Sequence, residues 1–435
     1  MTGEARVLKA DRSQLSWDLL DLEALLPADH RARIVWSFVE SLDLKPFYEA
    51  IRSREGEAGR PAADPKVLLA LWLYATIEGV GSARELDRLV KREVAYRWLA
   101  GGVPVNHHGL SDFRVGWAEE LDRLLTESVT ALVSEGIVDL KEVAIDGTKV
   151  RAPVSSRSFT RGGRLERIEQ AARTRMEALK QEVEADPAAG SKRRQAAQAR
   201  AAKAAQDKAA RARAALEKLR KEKAGREKSH KTEEKAKGSP SVSLTDLEAR
   251  RMRFADGSVR AGYNVQTAAL PKEGLVVSVA VTDRRNDAGL ARPMIEDLVR
   301  RYGQGPERLL VDEGYACAED LLTIDRHPSG PIKVYMPVPS ERPLEELKPS
   351  GRYARQRKRA SEPQAIKAWR ARMQSPEGQE VFKRRKLIEL IHAHYKNRAL
   401  ARLTVVGMAK TRAIALWHAL ANNLMAAHRL RAALA

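Results

Sequence analysis

Cysteine is nearly missing. Cys317 stands alone in 435 residues, which excludes an internal disulfide framework and a cysteine-based zinc knuckle. Long apolar runs are missing as well: no stretch approaches the roughly 18 consecutive apolar residues of a membrane span. The opening segment, MTGEARVLKADRSQLSWDLLDLEALLPADH, lacks the charged-then-apolar order of a signal peptide. These absences lead to the expectation of a cytoplasmic protein with no membrane partner. Acidic residues are in deficit: 78 Lys and Arg face 58 Asp and Glu, for a net charge of +20 and a pI near 10.0. Such a balance implies a polyanionic partner or a self-repelling surface, and by itself fits a ribosomal or membrane-surface protein too. The length allows two or three domains.

Among what is present, residues 382–396, FKRRKLIELIHAHYK, stand out. At about 100° per residue, Phe382, Arg385, Glu389 and Lys396 fall within an arc of roughly 60°. Leu387, Leu390 and Ile391 fall opposite. An amphipathic helix with one carboxylate held among cations suits a metal ion beside a phosphate; a solvated face with an i,i+4 ion pair is the plainer reading. Two further acids give that Glu partners. Asp146 ends the apolar run VAID and precedes Gly147, and Asp312 ends LLVD before Glu313 and Gly314. Each reads as a short buried strand presenting a carboxylate at its C-terminal edge, as ligand sites of α/β sheets do. Singly, an Asp before Gly is an ordinary turn residue. Two such Asp and a helix-borne Glu make a hard, oxygen-rich set suited to Mg²⁺ or Mn²⁺.

In these segments the chain resembles the DDE transposases of bacterial insertion sequences, in the branch whose third motif reads Tyr-x2-Arg-x3-Glu-x6-Lys. Phe382, Arg385, Glu389 and Lys396 match that spacing, with Phe where the family has Tyr. The similarity extends to IDGTKV around Asp146, GYNVQ at 262–266 and LLVDEGY around Asp312, and in the N-terminal third to the helical domain of the 1182 family of insertion sequences. The resemblance implies an α/β ribonuclease-H-like catalytic core in which Asp146, Asp312 and Glu389 are the catalytic residues and the ligands of two Mg²⁺ ions, with Mn²⁺ able to substitute. It implies DNA partners, both terminal inverted repeats and target DNA, a homodimer in the DNA complex, and a nucleoid-associated location. The implied activity is cleavage at the element's ends followed by joining of 3′ ends to the target.

Taken in order, residues 1–138 read as an all-α domain. The helix DPKVLLALWLYATIEG has Asp64 as cap, Pro65 in its first turn and Gly79 as its end. A helix from Ser82 follows, then one from Ser111 to Gly136. Tight turns before an Arg-bearing helix start give a helix-turn-helix-like reading that places Arg114 on DNA; a plain helical bundle fits the pattern equally. His107 and His108 fall in the connecting loop as surface residues. The catalytic core takes 139–160 and 239–400. Residues 161–238 form a charged helical insertion and linker, a long antiparallel hairpin with Leu165, Ile168, Ala172, Met176, Leu179 and Val183 at 3,4 spacing and a break at Asp186, Pro187 and Gly190. Cations exceed acids by 11 there. A flexible linker is expected over 225–243, a β-hairpin over Val259–Leu270 and Leu275–Thr282, a helix over 288–302, another near 317–325, and a strand at KVYMPV. Residues 339–376 read as irregular, and 401–435 as a C-terminal helix packed on the core.

Within this scheme Arg385 and Lys396 hold scissile or neighbouring phosphates, Arg by a bidentate fork and Lys as a point charge. Phe382 stacks on a base or packs. Two other classes share the residues: a ribonuclease-H-like nuclease or resolvase without strand joining, and a non-catalytic DNA-binding derivative.

Overall fold

Strand β1, Glu142–Arg151, runs through the middle of a six-stranded sheet. The computed structural model describes residues 21–53, 61–185, 192–229, 240–315, 318–338, 357 and 359–434. Cys317, the break at Asp186, Pro187 and Gly190, and much of the expected linker and of the basic stretch lie outside these residues; of the parts within them, Gln364–Gln374 is helical where an irregular stretch was expected, and the helix before the linker runs on to Ser229. On one side β1 pairs antiparallel with β5 (Val259–Leu270); on the other it pairs parallel with β7 (Arg308–Leu310). Numbering strands in chain order, with β2 (Phe159–Thr160), β3 (Val242–Ser243), β4 (Arg250–Arg253), β6 (Leu275–Thr282) and β8 (Lys333–Tyr335), the order is β4–β5–β1–β7–β8, with β6 also pairing β5. The hairpin of β5 and β6 closes over residues 271–274, where Gly274 adopts φ +71°, as the turn requires. A mixed sheet with helices around it is consistent with the expected ribonuclease-H-like core.

Asp146 is not at a strand end. Gly147 makes no turn: β1 continues to Arg151 because β5 pairs with it from Ala144 through Arg151. What stops nearby is the parallel ladder. Its last pair is Ala144 with Leu310, so Asp146 and Asp312 each lie two residues beyond the same rung. Equal offset from one rung brings the two carboxylates to the same place at the edge of the paired region.

Among the described residues seven α-helices precede β1: α1 (Arg31–Glu40), α2 (Lys45–Glu49), α3 (Pro65–Ile77), α4 (Ala83–Arg92), α5 (Val94–Ala100), α6 (His107–Gly116) and α7 (Ala118–Ser134). The Asp64 side chain caps α3, accepting from Lys66 N at 2.8 Å, with Pro65 at the first helical position. The helix expected from Ser111 starts earlier, because Asn106 accepts from Gly109 N at 2.9 Å and caps α6. His107 and His108 therefore sit in a first helical turn, not in a loop. The same stretch breaks at Trp117.

Arg114 does not face solvent. It is 7% exposed, its guanidinium lies 4.5 Å from the Trp72 ring centroid, and it donates to the carbonyl of Gly81. Burial pushes its pKa down to about 10. The position expected to contact DNA is a buried structural cation, since α6 turns that face toward α3 and the C-terminal helix.

The catalytic and N-terminal halves share one apolar core. After β6 come α10 (Ala291–Tyr302), α11 (Ala318–Asp325), α12 (Gln364–Gln374), α13 (Pro376–Lys383), α14 (Lys386–Tyr395) and α15 (Met408–Ala432), with α8 (Gly162–Ala185) and α9 (Lys192–Ser229) earlier in the insertion. Helix α15 joins the halves. Trp417 Nε1 donates to the Arg114 carbonyl at 2.8 Å and its ring lies 6.5 Å from Trp72. On the other side, Asn423 pairs with Val276 of β6 as a strand would, its amide accepting from N and donating to O at 2.7 Å each. Two hydrogen bonds on a buried strand satisfy backbone groups that would otherwise be orphaned. The C-terminal helix thus packs on both the sheet and the N-terminal helices.

The insertion has its own small core of Leu165, Ala212, Leu216 and Val242. Leu165 near the start of α8 meets Leu216 late in α9, so the helices run antiparallel, and Arg213 pairs with the nearly buried Glu169 at 2.5 Å. The short β2–β3 ladder closes the base of the hairpin.

His418, inside α15, is 3% exposed and its Nδ1 has no hydrogen-bond partner. Burial, with Arg114 and Arg398 adding to it, pushes its pKa from 6.5 down to about 3. A folded pKa below the unfolded one gives stability that is complete above pH 6.5 and is lost as pH falls toward 3. The loss is up to about 1.4 kcal/mol per pH unit. Denaturant unfolding at several pH values should show His418→Leu with a shallower acid-side decline than the parent. An unchanged decline would mean that His418 is protonated in the folded chain.

Candidate active site

Asp146 and Asp312 are both half-buried beyond the last β1–β7 rung. Asp146 Oδ1 accepts from Gly147 N at 2.9 Å, while Oδ2 faces His392 Nδ1 at 3.3 Å and Arg385 at 3.8 Å. Asp312 is poorer in partners: among the described residues its buried Oδ1 has no hydrogen-bond partner. Burial first, then the charge of Asp146, with Asp287 adding to it, pushes the Asp312 carboxyl above its usual range; Arg385 and the backbone N–H of Gly314 oppose the shift. A buried carboxylate oxygen without a donor, beside a second carboxylate, is a site short of positive charge.

A polar frame supports this pair. Asp287, in the loop before α10, accepts from the amides of Asn264 and Gln266 at 2.7 Å each. Gln266 in turn accepts from the buried Tyr315 hydroxyl, three residues past Asp312. Gly147 is required here: a Cβ would come within 2.4 Å of both Asp287 Oδ1 and Gln266 Nε2. A Cβ on Gly314 would likewise approach Asp312 Oδ1 to 2.9 Å. The frame locks the loop bearing Asp312 to β5 through side chains of the GYNVQ segment.

Residues 382–396 do not form one uninterrupted helix. Phe382 lies on α13, Arg385 caps α14, and Lys396 follows it at the start of a π turn over Lys396–Leu400. The buried stripe of α14 is Ile388, Ile391, His392 and Tyr395, at i, i+3, i+4 and i+7. Leu390, expected on the apolar side, is 57% exposed. On the facing side, Arg385 donates to Glu389 at 2.7 Å and its guanidinium lies 6.0 Å from the Phe382 ring centroid. Phe382 is partly buried against the core beneath Arg385. Lys396 is exposed and lines an open cleft.

The structure therefore brings Asp146, Asp312 and Arg385 together, and leaves Glu389 turned outward onto Arg385 with its side chain 54% exposed. Among the described residues no three of His, Cys, Asp and Glu stand close enough to hold a metal ion. The fit to a divalent cation rests on the two aspartates: hard oxygen donors, one with a buried oxygen that has no hydrogen-bond partner among the described residues, suit Mg²⁺ or Mn²⁺. Glu389 is one guanidinium away, since Arg385 spans from it to Asp146.

Asp287 and His392 went unread in the sequence. Asp287 sits in NDAG, which reads as a turn, and His392, seven residues past Arg385 and so beside the polar face of α14, was not weighed. The one legible signal was the pair of amides at 264 and 266 inside an otherwise apolar strand.

Residues 20–115 match the family model described as Transposase domain (DUF772). Residues 140–424, well over half the chain, match the model described as Transposase DDE domain. No curated protein and no solved structure matches the chain. The second match begins just before β1, ends inside α15 and contains both aspartates, Asp287 and α14, so the site described above lies wholly within it; the chain belongs to the transposase DDE domain family.

Proposed function

We propose that this DNA transposase cuts the ends of an insertion sequence of the 1182 family and joins the freed 3′ ends to target DNA. The observation that carries the reading is the pairing of Asp146 with Asp312, whose Oδ1 is buried and without a hydrogen-bond partner. DDE transposases use divalent metal ions. Here two Mg²⁺ ions, or Mn²⁺, would be held by Asp146 and Asp312, with Glu389 as the third carboxylate. When bound, the ions supply activation of the attacking hydroxyl and stabilisation of the leaving oxygen.

The chain's own groups do the rest. Arg385 offers a planar fork between Asp146 and Glu389, suited to a phosphate arriving over the carboxylates. Phe382 underlies that guanidinium and sets its height, a packing role that keeps it off the DNA. Lys396 supplies a point charge farther along the strand. His392 holds Asp146 from the buried side. The α8–α9 hairpin, basic and with its own core, is a DNA-backbone or partner-subunit arm of a homodimer. The N-terminal helices serve end recognition without Arg114. A nucleoid-associated cytoplasmic location follows from the same reading.

The test is incubation of the purified protein and Mg²⁺ with DNA carrying the repeats that flank its coding region, plus a supercoiled target. Cleaved ends joined to target are the expected products. Cleavage without joining would make the protein a nuclease or resolvase instead.

Arg385 gives a sharper check. As a mere partner of Glu389 it would tolerate lysine, since exposed ion pairs contribute at most about 1 kcal/mol. As a phosphate fork it would not: misplacing a reacting group by about 1 Å can cost on the order of 100-fold. Single-turnover cleavage by Arg385→Lys should fall by that order with a nearly unchanged melting temperature. Preserved cleavage would return Arg385 to the ion-pair role.

A further inference from the structure

Past Asp146, strand β1 runs into an open cleft of about 680 Å³. Six cations line it: Lys149 and Arg151 from β1, Arg253 from β4, Arg260 from β5, and Lys396 and Arg402 from the chain after α14. Among the described residues only Arg260 has a carboxylate partner, Asp256 at 2.7 Å. Among the described residues, Lys149, Arg151, Arg253, Lys396 and Arg402 form no ion pair and no side-chain hydrogen bond. Several arginines elsewhere are tied up: Arg301 and Arg412 on Asp122, Arg384 on Glu142, Arg123 on Glu120 and Glu127.

The two acids of the cleft offset these charges only in part. Asp256 is held by Ser258 and Arg260, and Asp287 by Asn264 and Gln266. Against Asp287, the one acid of the cleft not paired with a cation, the five unpaired cations leave the concavity net positive, a field that attracts a polyanion. One aromatic, Phe254, also lines the cleft and packs so closely on Gly262 that a Cβ there would meet its ring at 2.9 Å. An aromatic among backbone-reading cations is the pattern of a single-strand groove.

We infer that this cleft is the path of a single DNA strand leading away from the scissile phosphate at Asp146, with Lys149, Arg151, Arg253, Lys396 and Arg402 on its phosphates and Phe254 available to a base. The inference rests on the transposase reading above and adds to it the strand-bearing surface, which lies at the end of β1 remote from Lys272, Arg326 and Lys333.

The test is fluorescence anisotropy with a labelled single strand of roughly 16 nucleotides lacking any element end, across a potassium chloride series. The triple variant Lys149→Ala, Arg253→Ala, Arg402→Ala is compared with Lys272→Ala, Arg326→Ala, Lys333→Ala, which removes equal charge at the far end of the sheet. The cleft triple should lose affinity about 10-fold or more near 100 mM salt and flatten the log–log salt slope by about 2, at ~0.7 per phosphate contact. The control should change less than about twofold. Should the triple not fold, the exposed single change Arg402→Glu is expected to weaken binding in the same direction. Equal losses in both triples, or an unaltered Arg402→Glu, would overturn the assignment. Wild-type protein that binds the strand through the cleft yet cleaves no end DNA would remove the catalytic reading and leave the cleft standing. Normal cleavage with indistinguishable triples would do the reverse.

Discussion

Asp312→Asn is expected to abolish DNA cleavage while raising the melting temperature of the metal-free protein. In the metal-free chain Asp312 is a liability. Burial and the neighbouring Asp146 push its carboxyl above the usual range, so at neutral pH its ionised form costs the fold free energy that an unfolded aspartate does not. Asparagine keeps the volume, drops the charge and gives Oδ1 the chance of a neutral surrounding. A gain of about 1 kcal/mol, or roughly 2 °C in a chain of this size, is the expected scale. The same change removes an anionic ligand, and cleavage should fall by on the order of 10³-fold or more. Asp146→Asn should lose cleavage equally but gain no stability, because Asp146 already has Arg385 and His392 as partners. Glu313 is exposed, and Glu313→Gln should leave cleavage intact. Loss of activity together with loss of stability in Asp312→Asn would point to a structural aspartate instead.

The largest stability effect should come from a residue far from the chemistry. Arg301 on α10 has a side chain only 2% exposed. It donates to both oxygens of Asp122 on α7 at 2.7 and 2.8 Å, to Thr126 at 2.9 Å, and to Asp297 one turn back on its own helix. Arg412 of α15 donates to the same Asp122 at 2.8 Å. This network ties the N-terminal helices to the catalytic half at three points. Removing one partner of a buried pair strands the other, at about 3–5 kcal/mol. Arg412 still compensates Asp122 in part, so Arg301→Met is expected near the lower figure, a fall of roughly 6 °C. The exposed pair Arg431–Glu135, similarly short at 2.7 Å, should contribute less than about 1 kcal/mol when Arg431 is replaced by Ala. Thermal melts of the two variants side by side check this. Similar small losses would mean that the network is solvated and the halves are joined by apolar packing alone.

Patterns that depend on local periodicity were readable from the residues. The β5–β6 hairpin forms over the stretch its alternation and glycines indicate, and the Leu165-to-Leu179 spacing marks a helix that packs on a second one. Features decided by distant partners were not. Asp146 before a glycine looks like a strand end, but β5 carries the strand onward and the ending belongs to β7. Arg114 follows a polar helix start and looks exposed, yet Trp72 and Trp417 arrive from elsewhere and enclose it. Leu390 lost its predicted burial because the sheet selects Ile388, Ile391 and Tyr395, rotating α14 by part of a turn. That rotation also carries His392 onto Asp146. Asp287 joins the site only through the amides of β5, a contact across 21 to 23 residues of sequence that no local pattern encodes.

The central claim is that Asp146 and Asp312 hold a divalent cation, and Mn²⁺ titration followed by electron paramagnetic resonance tests it most directly. Free Mn²⁺ signal should be depleted by the wild-type protein, and the depletion should be lost or weakened at least about tenfold in both Asp146→Asn and Asp312→Asn, a scale set by removal of a charged ligand. Glu389→Gln should weaken it less, because Glu389 is engaged with Arg385. Mn²⁺ binding that survives both aspartate changes undiminished would contradict the account.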